Sequence, residues 1–475
     1  MRKSRGRVWF AGSLLLACVA AYGDDGPLEY LERGEGESVA LARDIWRFAE
    51  LGYLEEQSST RLQGYLESHG FEVRGGAAGI PTAFVASYGQ GSPVITILAE
   101  FDALPGLSQD ATPERNPLEE DAPGHACGHH LFGAASASAA VAIAEWLKKS
   151  EVSGTIRVYG TPAEEGGSGK VYMARAGLFD DVDTVLHWHP SDRNDASPSS
   201  STANKSGRFT FRGIAAHAAA APDRGRSALD GVEAMNYMVN MMREHVPSDA
   251  RIHYIITKGG DAPNIVPESA QVYYYVRHPR AAQVISLFER VVTAAEAGAM
   301  GTGTTMTYEV MHGNYPILQN DRLARLVYDN LKSLGGLSYT REETRFAEQI
   351  RETLLGEVPS LTSAGEVQPF VFRQRMGSTD VGDVSWMVPT VGFQTATWVP
   401  GTPAHSWQAV ASGGMSIGHK GMLLAARLLA VTAADLFRDK GIIDAATEEF
   451  HRRRGADFEY AALLGDRDPP LDYRL

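Results

Sequence analysis

Cysteine is nearly absent from this chain. Only two of its 475 residues carry a thiol, Cys18 and Cys127. Two cysteines cannot build the disulfide framework of a small secreted domain. The CxxC pair of a zinc deaminase is missing, and nothing around Cys127 matches a cysteine-protease signature. Positive charge is also short: 44 Lys and Arg stand against 58 Asp and Glu, a net charge of −14. Such a surface argues against nucleic acid or an anionic membrane as the main partner. There is no internal repeat and no long low-complexity tract.

What the chain does have begins with a leader. Arg2, Lys3, Arg5 and Arg7 precede an apolar run over 8–21, then small residues and Asp24. That is the layout of a secretory signal peptide over 1–23, with an apolar run too short to span a bilayer comfortably. Leu15-Leu16-Ala17-Cys18 also matches a bacterial lipobox. The expectation is an exported protein, periplasmic or held at the outer membrane through a lipid on Cys18. In either case Cys127 is left without a thiol partner.

The length suggests two or three domains at roughly 150 residues each. Apolar runs at 94–99, 155–159 and 183–188 read as buried strands, with helical patterns at 38–69, 131–149 and 170–176 between them. Strands alternating with helices predict a mostly parallel sheet. The polar stretch 191–207, SDRNDASPSSSTANKSG, reads as a linker or domain boundary. After it the rhythm becomes β-α-β-β-α-β up to about residue 311, the order of a ferredoxin-like unit. The α/β character returns from 315 onward, with a helix at 321–334, a strand region at 385–394 and a long helix at 420–438. The expected fold class is α/β: a catalytic domain over 24–204 and 317–475, interrupted by an inserted α+β domain over 205–316.

The chemistry-bearing residues fall beside these strands. AEFDALPG (99–106), GTPAEEGG (160–167) and LHWHP (186–190) stand at the ends of strands, where open α/β sheets bind ligands. GHACGHH (124–130) precedes the 131–149 helix. Cys127 and His129 are good ligands for zinc or a similar ion. Glu164 and Glu165 are adjacent, and adjacent side chains diverge. One carboxylate can therefore coordinate a metal while the other faces a water.

HACGHH, GTPAEEGGSGK, LHWHP, GIAAHAAAAPDRGRSALDG (213–231), GGDAPNIVPESAQVYYYVR (259–277) and GTPAHSW (401–407) occur in this order. The set resembles the M20 metallopeptidases. It is most similar to their amidohydrolase subfamily D, and GSTDVGDVSW (377–386) adds a likeness to the aminobenzoyl-glutamate hydrolase type within it. The resemblance implies a zinc-peptidase-like catalytic domain with an inserted dimerisation or lid domain. It also implies two divalent ions, zinc or manganese, held by Cys127, His129, Glu165, one histidine of LHWHP and His405. The family pattern sets that histidine after leucine, which points to His187 rather than His189. Glu164 would be general base and acid. His217 would stabilise the oxyanion, commonly in the partner's site. Asn264 and Arg277 would bind the substrate's carboxylate or carbonyl, and Asp102 would orient His129.

The sequence departs from the subfamily at His130, where relatives often have aspartate. The implied activity is hydrolysis of the amide bond in an N-acyl amino acid, an aminobenzoyl-glutamate-like small molecule. The implied assembly is a homodimer, with a sister subunit as a further partner. The rival readings are a dipeptidase and a non-catalytic homologue that keeps the fold as a binding or regulatory protein.

Overall fold

A computed structural model describes residues 26–475. The leader expected over 1–23, with Cys18, lies outside the described residues. In chain order the strands are β1 (Glu72–Gly75), β2 (Phe84–Gln90), β3 (Val94–Ala99), β4 (Gly154–Gly160), β5 (Thr184–Ser191), β6 (Ser199–Ser200), β7 (Ala203–Arg212), β8 (Arg251–Lys258), β9 (Ser269–His278), β10 (Thr305–Asn314), β11 (Arg373–Gln374) and β12 (Thr390–Ala396).

Six of them form the main sheet, in the order β1-β2-β4-β3-β5-β12. β4, β3, β5 and β12 run parallel, while β2 and β1 add antiparallel strands at one edge. β3 is VITILA, almost entirely buried, as a strand covered on both faces must be. Helix His129–Lys149 lies against β3 and against helix Ser416–Arg438. It is rich in alanine, glycine and serine, so backbones can approach closely. A Cβ on Gly133 would stand 2.8 Å from the Glu100 carbonyl oxygen. The helix is long and apolar enough to cross a membrane, yet 94% of its apolar window is buried by protein, which makes it a core helix.

The remaining long strands form a second sheet, β10-β7-β9-β8, all antiparallel. Helices Ala228–Met242 and Ala281–Thr302 cover one face and share a separate core with Phe209, Val272 and Tyr274. This is the ferredoxin-like strand order expected for the insertion.

The mostly helical stretch 38–69 resolves into two helices, Glu35–Phe48 and Glu56–Ser68, broken at Ala49 with a left-handed φ of 44°. The polar 191–207 stretch, which joins β5 to β7, is held largely inside the protein. Asn194, Asp195, Ser197, Ser201, Thr202 and Asn204 are all buried. Their side chains tie this segment to later parts of the chain: Asn194 Nδ2 donates to the Ala364 oxygen, Ser197 Oγ to Pro369 and Thr202 Oγ1 to Gly377. Polar composition suggested solvent, but here it supplies hydrogen bonds inside the protein.

Candidate metal centre

The donors converge beyond the carboxyl ends of the four parallel strands. Glu100 and Asp102 follow β3, Glu164 and Glu165 follow β4, His189 closes β5, and His405 stands on the loop after β12. Cys127 and His129 arrive at the start of helix His129–Lys149. Gly128 makes that turn with φ 78°, and a Cβ there would meet Pro190 at 2.7 Å. Three non-glycine residues in the left-handed region, Ala163, Ser168 and His405, flank the glutamate pair and the histidine. Such strain persists only where surrounding contacts hold it. One holder is the buried Glu55, whose carboxylate accepts from the Ala163 N–H at 2.8 Å.

Two donor triads share the thiol: Cys127, His129 and His189, and Cys127, Glu165 and His405. Within each, the ligand atoms lie within 4.8 Å of one another. Glu164 is grouped with His129 and Glu165 on the same criterion. The histidine tautomers are set from behind. His129 Nδ1 lies 2.8 Å from Asp102 Oδ1, and His189 Nδ1 2.7 Å from the Pro190 oxygen. Their Nε2 atoms are left to face the cluster, and His189 Nε2 is 3.5 Å from Cys127 Sγ. Asp102 spends its other oxygen on the Glu165 N–H at 2.9 Å, so one buried carboxylate braces a histidine and a glutamate together.

The centre fits divalent ions. Thiolate, imidazole and carboxylate are the donor set of zinc and its neighbours. Two buried atoms that would otherwise need a partner, His129 Nε2 and Glu165 Oε1, make no hydrogen bond. The first is 3.1 Å from Glu100 and the second 3.1 Å from His405, close but without hydrogen-bond geometry. Burial, with Glu165 beside it, pushes the Cys127 thiol up, so its ionisation calls for a cation at the sulfur. Burial and His129 hold His189 down to about 3, the neutral form that ligates. Burial lowers His129, but Cys127, Asp102 and Glu100 outweigh it and hold it high. Burial, with Glu100, Glu165 and Asp380 around it, pushes Glu164 well above the usual carboxylate range.

The donor geometry groups a different histidine of LHWHP from the one the family pattern pointed to. His189, not His187, joins Cys127 and His129. The two histidines alternate on β5 and share a face, but two residues of strand separate them by about 7 Å. Only His189 stands near the strand end. His187 pairs in register with Gly392 of β12, and its ring fills the space where a Cβ at Gly392 would sit 2.2 Å away. His125 and His130 are buried core residues. Their Nε2 atoms donate to the Ile45 and Gly413 carbonyl oxygens, at 3.0 and 3.1 Å.

The insertion residues stay apart from the centre of their own chain. His217 is exposed and bridges to Ile265, beside Asn264, whose backbone oxygen accepts from the Ala218 N–H. Arg277 stands over the Tyr275 ring on β9. None of the three lines the cavity at the donor cluster.

Sequence reasoning passed over several groups here. Lys170 is fully buried between Glu100 and Asp380, 2.7 Å from each. Its signal was a lysine inside an otherwise small-residue turn, GGSGK. Residues far along the chain also reach the glutamate loop. Tyr473 Oη and Arg474 Nη2 both donate to the Glu165 carbonyl oxygen, at 3.1 and 2.6 Å. Arg467 donates to the Val310 oxygen of β10 at 2.6 Å, so this segment ties the insertion to the centre.

Residues 96–371 match the model of peptidase family M20/M25/M40. The chain belongs to this family. It is 40% identical over 443 residues to the B subunit of p-aminobenzoyl-glutamate hydrolase from Escherichia coli K12, covering 86% of this chain and 91% of that one. It is 30% identical to the mouse Xaa-Arg dipeptidase, over 89% and 93% of the two chains. Two solved M20-type folds are similar. An aminobenzoyl-glutamate utilization protein from Klebsiella pneumoniae has a TM-score of 0.60 at 18% identity, covering 86% and 97%. A dinuclear metal-binding M20 peptidase from Bacillus subtilis has 0.56 at 17%, covering 84% and 99%. Membership makes this chain an M20 hydrolase.

Proposed function

We propose that this M20 hydrolase cleaves the amide bond of an N-acyl amino acid of the aminobenzoyl-glutamate type. The observation that carries the reading is the pair of triads sharing Cys127 with Glu164 alongside. Cys127, His129 and His189 would hold one divalent ion, and Cys127, Glu165 and His405 a second, zinc or manganese. When bound, the ions would supply Lewis-acid polarisation of the amide carbonyl and make water more acidic.

The chain's own residues do the rest. Glu164 accepts the proton of the attacking water and returns it to the departing amine. Its environment, which favours the protonated carboxyl, suits the second task. Asp102 keeps His129 and Glu165 in place throughout. His217 would serve the centre of a second copy and stabilise the oxyanion there, while Asn264 and Arg277 on the same insertion would bind the substrate's carboxylate or carbonyl. Two features support a homodimer. His217 and Asn264 lie side by side at the surface, and the edge strand β8 shows Ile255 and Ile256 to solvent, 62% and 44% exposed. A sister subunit is a further partner, since the Escherichia coli hydrolase has both an A and a B subunit. The basic and apolar leader supports export.

Metal analysis together with hydrolysis of N-(4-aminobenzoyl)-L-glutamate by wild type and Glu164→Gln tests the reading. The variant should bind metal as wild type does and lose about 10²- to 10⁴-fold in kcat. Normal turnover by the variant would overturn the role of Glu164. Chelator-insensitive protein with no bound metal would favour the binding-protein alternative.

A further inference from the structure

The cavity of about 520 Å³ at the donor cluster is also lined by Arg375. This arginine lies between helix Arg341–Glu352 and helix Val381–Met387, two residues before GSTDVGDVSW, and is not among the expected site residues. Its backbone is fixed. β11 pairs in register with β6, Arg373 with Ser199 and Gln374 with Ser200, and the Arg375 N–H donates to the Ser200 oxygen at 2.8 Å. The polar stretch 191–207 is thus the wall that positions it.

The local charge does not balance. Asp195, buried, is the carboxylate facing both Arg373 and Arg375, at 3.0 and 3.7 Å. Its Oδ1 is already taken by the Ser197 N–H at 2.9 Å. At 3.7 Å the Arg375 fork lies beyond hydrogen-bond distance, so Asp195 attracts it without satisfying it. Arg193 nearby is paired with Asp192 at 2.7 Å and brings no spare acceptor. A guanidinium stays charged, and five donors half-buried in a cavity call for an acceptor. Burial first, with Arg373 and Arg193 opposing Asp195, already disfavours the charge there. An incoming anion would relieve that.

The rest of the lining defines the class of anion. Phe132, Ile317, Val391 and Phe393 are apolar, Ser199 and Ser378 add hydroxyls, and the carboxylates besides Asp195 are Glu100, Glu164 and Glu165 at the donor cluster, so Arg375 is the one arginine or lysine of the lining. Apolar walls with one planar cationic fork suit a carboxylate on an organic body. We propose that Arg375 anchors a carboxylate of the substrate, the task that the family resemblance gave to Arg277. The inference rests on the amide-hydrolase reading for the substrate's identity.

The test uses glutarate, a bare dicarboxylate, and glutaramide, its uncharged counterpart. Binding to metal-loaded wild type, Arg375→Gln and Arg375→Lys is measured by calorimetry, with thermal melting to check folding. Glutarate affinity should fall about 10- to 100-fold in Arg375→Gln and recover in part in Arg375→Lys, while glutaramide binds all three alike. Glutarate binding that is equal in wild type and Arg375→Gln, absent from wild type, or lost in parallel with glutaramide would overturn the anchor. Hydrolysis of N-(4-aminobenzoyl)-L-glutamate by the same wild-type sample separates the two claims. No hydrolysis with glutarate discrimination intact refutes the substrate reading alone. Hydrolysis with unchanged glutarate binding in Arg375→Gln refutes the anchor alone.

Discussion

Replacing Asp102 by asparagine should weaken metal binding about tenfold or more without unfolding the protein. The Asp102 side chain is 1% exposed and serves two donors, His129 Nδ1 at 2.8 Å and the Glu165 N–H at 2.9 Å. Burial works against its charge, but His129 more than compensates and keeps Asp102 below the usual carboxylate range. An asparagine has the same shape and one oxygen. It can accept from the histidine or from the backbone amide, and its NH₂ then points at the other donor. A hydrogen bond to a charged group is worth about 1.5–3 kcal/mol, and loss of a carboxylate behind a ligating histidine costs about 10- to 100-fold in metal affinity or activity. The two figures agree, since 1.4 kcal/mol is about tenfold. Competition with a chelator of known affinity, followed by metal analysis, measures the loss directly. Kcat/KM should fall in parallel. An Asp102→Asn protein whose metal affinity stays within about twofold of wild type would refute the bracing argument, whatever its activity.

Three further outcomes follow from the geometry. His189→Asn should reduce bound metal in proportion to a lost ligand, whereas His187→Asn should keep full metal content; the reverse result would restore His187 as the ligand. His419 is buried, and burial, with Arg43 nearby, depresses it from 6.5 to about 4. The unfolded chain therefore binds the proton first, and the stability from keeping His419 neutral is present above pH 6.5 and lost as pH falls through about 4. The shift amounts to about 3 kcal/mol, so His419→Gln should flatten the fall in denaturant midpoint across that window; an unchanged slope counts against it. Arg474→Ala, paired with Tyr473→Phe, should lower kcat/KM about 3- to 10-fold through the Glu165 carbonyl with little change in melting temperature, and full activity would show that the contact is idle.

Strong periodicity made most elements legible. The run at 94–99 coincides with β3, and the run at 155–159 is β4 without the glycine at each end, because both are short stretches rich in β-branched residues and preceded by Gly or Pro. The centre was legible where its donors sit in short local motifs: Cys127 and His129 are two residues apart, and Glu164 adjoins Glu165. Two matters were not. His187 and His189 share a strand face, and which one reaches the cluster depends on where β5 ends, which runs to Ser191 rather than near Trp188. The strand region expected over 385–394 is strand only from Thr390, because the helix Val381–Met387 takes its first residues. Groups that act through distant contacts left no local pattern at all. Glu55 meets Ala163 across 108 positions, and Lys170 meets Asp380 across 210.

The contact between Arg474 and Glu165 spans 309 positions of chain. Translation runs in one direction, so the glutamate loop leaves the ribosome long before the residue that secures its carbonyl. His405, a donor in one triad, also arrives late. An N-terminal fragment holding Cys127, His129, Glu165 and His189 therefore carries a thiol and imidazoles able to catch a stray ion, but not the finished pair of triads. Metal loading at the paired triads would therefore wait for the completed polypeptide, and a nascent or prematurely terminated one would leave the Cys127 thiol without its full set of neighbours.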